Sequence, residues 1–254
     1  MSDRVVVKEV PLPEEWRGRR VGLLDAFLED GQRVREKRAF WFVTGIEAAD
    51  SLFPFTQGWL ANTHLNGGAE PAWQEFLDWY QEERGEPWSP GWYVKPLQEC
   101  QGDEERTVLV LLDLVARYVQ AHGVFSRGKA GAMDERISAT YGPLPKEWGG
   151  RPVEFVEAML WLRQRMREGQ GLSFLTGMET VDSLFCFEVG WIRNTIYNQR
   201  RDPSIASFRD WLRDIKKELP GEGWHVKYLR DCQGDHRRAV MKFLDLAAEF
   251  QASR

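Results

Sequence analysis

Residues 44–63 read TGIEAADSLFPFTQGWLANT and residues 176–195 read TGMETVDSLFCFEVGWIRNT, so one stretch of the chain occurs twice at an offset of 132 residues. The same offset aligns residues 11–116 with residues 143–248 without a gap, and about 45% of the aligned positions are identical. Chance does not produce such agreement over this length. The sequence therefore predicts two tandem copies of one unit of roughly 110 residues, each long enough to bury a core.

The repeat divides the 254 residues into three parts. Residues 1–119 are the first copy, and residues 143–254 are the second copy. Residues 120–142 lie between them and contain Gly and Ser at short intervals, which is typical of a linker. The sequence leaves open whether the two copies pack against each other.

Apolar residues at helical spacing predict that each copy is mostly α-helical. Asp103 and Asp235 are typical helix N-caps, and Gly190 is expected to break or kink the helix that contains it. Alternation from Trp224 to Tyr228 allows a short strand. We expect four to five helices in each copy, with at most a small β element.

Composition and motifs exclude several classes of protein. No apolar run approaches the ~18 residues that span a bilayer, and residues 1–10 lack the apolar core of a secretory signal. Three Cys form no disulfide framework, which favours a reducing compartment and predicts a cytoplasmic protein without a membrane partner. No standard catalytic or zinc motif is present, and none of the four His recurs in the other copy. We therefore predict no catalytic residues, no metal site and no cofactor.

Charge differs between the copies. Residues 1–120 carry 13 basic and 21 acidic side chains, whereas residues 143–254 carry 18 basic and 16 acidic ones. The acidic excess of the first copy is concentrated in residues 69–105, which also contain Trp79, Trp88 and Trp92. Acidic groups around aromatic side chains suit a basic protein partner, because charge speeds encounter and buried aromatic groups supply affinity.

Eight of the 12 Trp occur at matching positions of the two copies, which favours a structural role for those eight. Trp161 matches Glu29 and lies away from the apolar stripe of its helix, so we expect it to face solvent and to contact the other copy or a partner. The same reasoning makes Trp41 and Trp88 candidates, since they match Ser and Pro.

These observations favour a protein-binding module, most concretely a cytosolic inhibitor or immunity-type protein that neutralises a basic toxin or enzyme through an acidic and aromatic surface. The predicted partner-binding residues are Trp41, Trp88, Trp161, Glu82, Glu83, Glu86, Glu104 and Glu105.

Two other functions stay open. The repeated polar residues allow a small-molecule or nucleotide-handling enzyme with a pocket formed by Asp50, Ser51, Asn62, Thr63, Asp182, Ser183, Asn194 and Thr195, although these side chains also suit backbone capping. The second copy allows weak nucleic-acid binding through basic residues at positions 193–217. Acidic residues are interspersed with these basic ones, however, and the whole chain carries a net charge of −5, so nucleic acid is an unlikely partner.

Overall fold

The computed structural model describes residues 14–16, 18–36, 44–123 and 144–254. Within these ranges the chain is mostly α-helical and contains no β-strand, which confirms the expectation of a mostly α protein. Residues 224–231, where alternation allowed a strand, form a helix. Trp224 and Tyr228 are four residues apart, so the same pattern also places both on one helical face, and both side chains are buried.

Eleven α-helices make up the described fold. They are α1 (Leu23–Arg35), α2 (Leu52–Leu65), α3 (Pro71–Arg84), α4 (Val94–Glu99), α5 (Glu104–His122), α6 (Phe155–Arg167), α7 (Ser173–Thr176), α8 (Val181–Tyr197), α9 (Pro203–Trp211), α10 (Trp224–Asp231) and α11 (His236–Ala252). We call residues 14–123 the N-terminal half and residues 144–254 the C-terminal half. Helix α5 extends into the predicted linker, and residues 124–142 of that linker lie outside the described residues.

Helix starts follow the polar residues that precede them. Asp103 accepts a hydrogen bond from the backbone N–H of Arg106, and Asp235 accepts one from Arg238, so both N-cap predictions are confirmed. Asp202 caps α9 by accepting from the backbone N–H of Ser204. The described N-terminal half has five α-helices, within the expected four to five, whereas the C-terminal half has six because residues 173–176 form the short helix α7.

Helices α2 and α8 cross at the centre of the molecule, with Gly58 of one near Gly190 of the other. A Cβ atom at Gly58 would collide with the carbonyl oxygen of Phe187, and one at Gly190 would collide with that of Phe55. Helix α8 runs through Gly190 without interruption, so the expected break is wrong. Glycine occurs here because only hydrogen leaves room for the crossing backbone.

Each half completes the core of the other. Tyr197, at the end of α8, is buried in the core of the N-terminal half, while Ala61 and Leu65 of α2 are buried in the core of the C-terminal half. Two hydrogen bonds at positions 132 apart reinforce this exchange. The Oδ1 atom of Asn198 accepts from Val21 N, and that of Asn66 accepts from Val153 N, each at 2.9 Å. The described halves therefore pack as one body.

Candidate functional site

The repeated Asn and Thr side chains bond to one another across the crossing of α2 and α8. Asn62 Nδ2 donates to Thr195 Oγ1 at 2.8 Å and to the carbonyl oxygen of Trp191 at 2.9 Å. Asn194 Nδ2 makes the reciprocal pair, to Thr63 Oγ1 at 2.8 Å and to the carbonyl oxygen of Trp59 at 3.2 Å. All four polar side chains are buried. Their first role is therefore to join the two halves.

The repeated Asp and Ser side chains lie at the opposite, N-terminal ends of the same helices. Ser51 Oγ lies 2.8 Å from Thr44 Oγ1, and Ser183 Oγ donates to the carbonyl oxygen of Thr180 at 2.7 Å. Burial raises the pKa of Asp50, and the nearby carboxylates of Glu104 and Asp182 raise it further. The eight residues of the predicted pocket thus fall into two groups at different ends of the crossing and do not share one cavity.

The acidic stretch forms an exposed surface of the N-terminal half, built from the end of α3, α4 and the start of α5. We call this surface the acidic face and define it by Glu82, Glu83, Glu86, Glu99, Asp103 and Glu105. Three of its carboxylates contact cations at the protein surface. Glu83 pairs with Arg117, Glu86 with Lys95 at 3.3 Å and Glu99 with Arg84 at 3.1 Å. Exposed pairs of this kind contribute about 0–1 kcal/mol each, so a partner can replace them at little cost.

Glu104 has a structural contact that its sequence pattern does not reveal. Its Oε2 atom accepts a hydrogen bond from the backbone N–H of Ala49 at 2.7 Å. At the matching positions, His236 Nδ1 accepts from the backbone N–H of Val181 at 3.3 Å. Because two different side chains hold the same turn, the carboxylate of Glu104 serves the fold, and we leave it out of the acidic face.

Trp88 lies in the segment between α3 and α4, near Glu86 in the chain, and is only partly exposed. Its ring stacks on Trp92 with centroids 5.0 Å apart and meets Trp73 and Tyr80 edge-on at 5.8 Å and 6.0 Å. The Nε1 atom of Trp88 is buried without a hydrogen-bond partner. This cluster supplies a rigid aromatic base to the surrounding carboxylates.

The other two unmatched Trp candidates do not join this surface. Trp161 is 9% exposed and packs against Trp148 and Phe174 at 6.1 Å and 5.9 Å between ring centroids. The expectation that Trp161 faces solvent is wrong, because the segment before α6 and the short helix α7 cover that side of α6. A side chain buried this deeply is not available to a partner. Trp41 lies outside the described residues.

The corresponding surface of the C-terminal half differs in charge. Arg213 pairs with Asp210 at 2.6 Å and with Asp214 at 2.9 Å, and Lys216 pairs with Glu249 at 2.7 Å. Ile215 stands at the position that matches Glu83 and is 69% exposed. Several cations that suggested nucleic-acid binding are thus held in ion pairs with neighbouring carboxylates.

A buried charged cluster between α1 and α8 was missed by the sequence reasoning. Asp30 is 0% exposed, and neither of its carboxylate oxygens accepts a hydrogen bond. Burial raises the pKa of Asp30 to about 6, although Arg193 and Arg33 oppose the shift. The matching residue is Leu162, which is buried in the other core. A signal existed in the sequence, since the charged Asp30 aligns with the apolar Leu162 at the offset of 132 residues.

The cysteines and two of the histidines, His64 and His225, are buried in the described structure. The three cysteines are buried and unbonded, and burial raises the pKa of the Cys186 thiol. His225 stacks on Phe185 with ring centroids 3.9 Å apart. The described residues contain no group of three His, Cys, Asp or Glu side chains arranged to hold a metal ion.

Comparison of the chain with protein-family models, curated proteins and solved structures finds no match. Among the described helices, none has the length and apolar character needed to cross a membrane. The function must therefore be argued from the geometry and charge of the surfaces themselves.

Proposed function

We propose that the protein is a non-catalytic binding module, a cytoplasmic inhibitor or immunity-type protein that occupies a basic toxin or enzyme through the acidic face. One observation carries this proposal. The acidic face has six carboxylates, three of them in ion pairs, whereas the matching surface of the C-terminal half keeps four carboxylates and has Ile215 and Arg237 in place of Glu83 and Glu105. The same helical framework does not need a carboxylate at Glu83 or Glu105, so the charge at these two positions is available for contact with a partner.

The proposal includes an internal duplication of one helical unit. The reciprocal bonds of Asn62 and Asn194 across the crossing support it, as do those of Asn66 and Asn198 at its end. A duplicated unit in which one copy lacks two of these six carboxylates provides its own control. Each substitution on the acidic face can take the residue already present at the matching position.

The aromatic cluster beneath the carboxylates gives this surface the second property of a binding site. Trp88 is held on Trp92, Trp73 and Tyr80, so a partner that covers it immobilises no flexible side chain. Aromatic groups of this kind supply much of the affinity of protein interfaces. The surrounding carboxylates accelerate encounter with a basic partner and oppose an acidic one.

The experiment compares two purified variants with the wild-type chain against the partner that the wild type captures from its native source. The first variant, E83I/E105R, places on the acidic face the residues found at positions 215 and 237. We expect its association rate constant to fall by about tenfold and to lose most of its salt dependence. The matched control, D214K, lies on the other half and should bind as the wild type does.

The identity of the captured protein decides nothing by itself. The proposal is supported if that protein is basic and if only the acidic-face variant weakens its binding. It is overturned if the partner is acidic or if E83I/E105R binds as tightly and as fast as the wild type. Circular dichroism and thermal unfolding of both variants establish that any loss of binding is not a loss of fold.

A further inference from the structure

A groove of about 1280 Å³ lies between the two halves at the C-terminal ends of α2 and α8. The segment before α6 and the turn after α8 form its walls. Asn62, Thr195 and Trp148 are buried side chains at its floor. Small-molecule sites typically enclose about 300–1,000 Å³, so the groove has room for an organic ligand.

Five cations line this groove: Lys146, Arg151, Arg200, Arg201 and Arg254. Arg151 pairs with Glu157, whereas Lys146, Arg200 and Arg201 take part in no ion pair of the described residues. Arg200 is half-buried and donates to the backbone and side-chain oxygens of Asn62 at 3.5 Å and 3.3 Å, which are long bonds. Burial lowers the pKa of Arg200, and the neighbouring guanidinium of Arg20 lowers it further. The groove thus holds positive charge without a contacting counter-ion.

The carboxylates in the groove do not cancel this charge. Asp202 accepts from the backbone N–H of Phe155 at 2.8 Å and from Trp191 Nε1 at 3.3 Å, so its oxygens serve the fold. Glu157 pairs with Arg151 at 2.7 Å. Glu154 remains, and burial together with nearby Asp202 raises its pKa, which makes its charge less stable there.

The two halves differ at the positions that carry these cations. Gly68, Ala69 and Glu14 match Arg200, Arg201 and Lys146. The C-terminal ends of α2 and α8 both carry partial negative charge that favours nearby cations. Because both helix ends carry this partial charge, it does not explain why cations occur after α8 at positions 200 and 201 but not after α2 at positions 68 and 69.

We propose that this groove binds a phosphorylated small molecule of nucleotide size, with its phosphate at Arg200 and Arg201. Guanidinium groups bind phosphate through paired, charge-assisted hydrogen bonds, and these strengthen where water is partly excluded. Leu144, Pro145 and Trp148 offer an apolar surface to the organic part of the ligand. The site lies away from the acidic face and is independent of the function proposed above.

The test is isothermal titration of the full chain with four probes: AMP, ribose 5-phosphate, inorganic phosphate and adenosine. We expect saturable binding of AMP that exceeds that of adenosine, which lacks the phosphate. The variants R200A and R201A should each weaken AMP binding by about tenfold, since each removes a charged hydrogen-bond donor. R201A introduces the residue of the matching position and changes an exposed side chain, so it preserves the fold.

The control variant K217A removes a cation from another surface and should leave AMP binding unchanged. The proposal is overturned if none of the three phosphate probes binds at millimolar concentration. It is also overturned if AMP binds equally well to the wild type, R200A and R201A, or if adenosine binds as tightly as AMP. The outcome of this titration leaves the acidic-face experiment unaffected, because the two tests use different residues and different ligands.

Discussion

Asp30 is the residue whose replacement tests the energetics of this fold most sharply. Its carboxylate is fully buried without a hydrogen bond, and burial raises its pKa from 3.8 to about 6. A difference of about 2 pKa units corresponds to about 3 kcal/mol of unfolding free energy lost when the group is ionised. Leu162 occupies the matching position, so D30L is compatible with the packing of this helical framework.

We expect D30L to raise the free energy of unfolding by about 2–3 kcal/mol at pH 7. The gain combines new apolar burial with the removal of the ionisation cost, in which the opposing attraction of Arg33 and Arg193 is already included. Arg33 keeps its pair with Glu29 at 2.8 Å, and Arg193 keeps its bond to Tyr197 Oη at 3.1 Å. These contacts keep both guanidinium groups hydrogen-bonded in D30L.

The effect depends on pH in a definite direction. The folded state binds the Asp30 proton more tightly than the unfolded state, so this group makes the wild type less stable as pH rises from 3.8 to about 6. The advantage of D30L should therefore be small near pH 4 and complete above pH 7. Urea unfolding of both proteins, followed by tryptophan fluorescence between these limits, measures the difference directly.

The isosteric variant D30N separates charge from packing, because it removes the ionisation without adding apolar volume. It should reproduce the pH dependence of the D30L advantage. A destabilised D30L at pH 7 would refute this reasoning, since it would mean that Asp30 stabilises the neighbouring arginines by more than its own burial costs. A gain that does not change with pH would show that packing alone is responsible.

Three further substitutions test the remaining structural assignments. G58A should destabilise by about 3 kcal/mol or more, because a methyl group meets the backbone of α8, and thermal unfolding should show no comparable loss for G91A, which has open space around it. N62A should cost about 2 kcal/mol in chemical unfolding by removing two buried bonds between the halves, and a loss below about 0.5 kcal/mol would contradict their importance. W161A should lower the free energy of unfolding by about 3–5 kcal/mol because it truncates a core side chain, and an unchanged stability would contradict the burial of Trp161.

Local signals predicted the helices because they depend on near neighbours in the chain. Asp103 and Asp235 cap their helices as expected, since an N-cap bond reaches only three residues ahead. The acidic stretch was likewise readable, because consecutive charged residues on exposed elements remain at the surface. Glu104 was the exception among them, since its bond to Ala49 joins segments 55 residues apart.

The candidate site was harder to predict because burial depends on what covers a helix. Trp161 lies off the main apolar stripe of α6, yet residues from two other segments enclose it. Asp30 lies in a helix with ordinary polar neighbours, and only the packing of other helices on α1 shows that it is sealed from water. Neither contact has a signature in the local sequence.

By itself, the sequence determined the repetition at 132 residues, the mostly helical character and the uneven charge, because these follow from residue identity and short-range spacing. Only the tertiary structure shows what the residues at the crossing of α2 and α8 do. Gly190 lies where two helix backbones cross and does not interrupt its helix, and Asn62 and Asn194 bond across the crossing. The physical reason is that packing between distant segments depends on the whole chain. The same short pattern of polar residues can therefore line a pocket, cap a helix or join two segments, and the local sequence does not distinguish these roles.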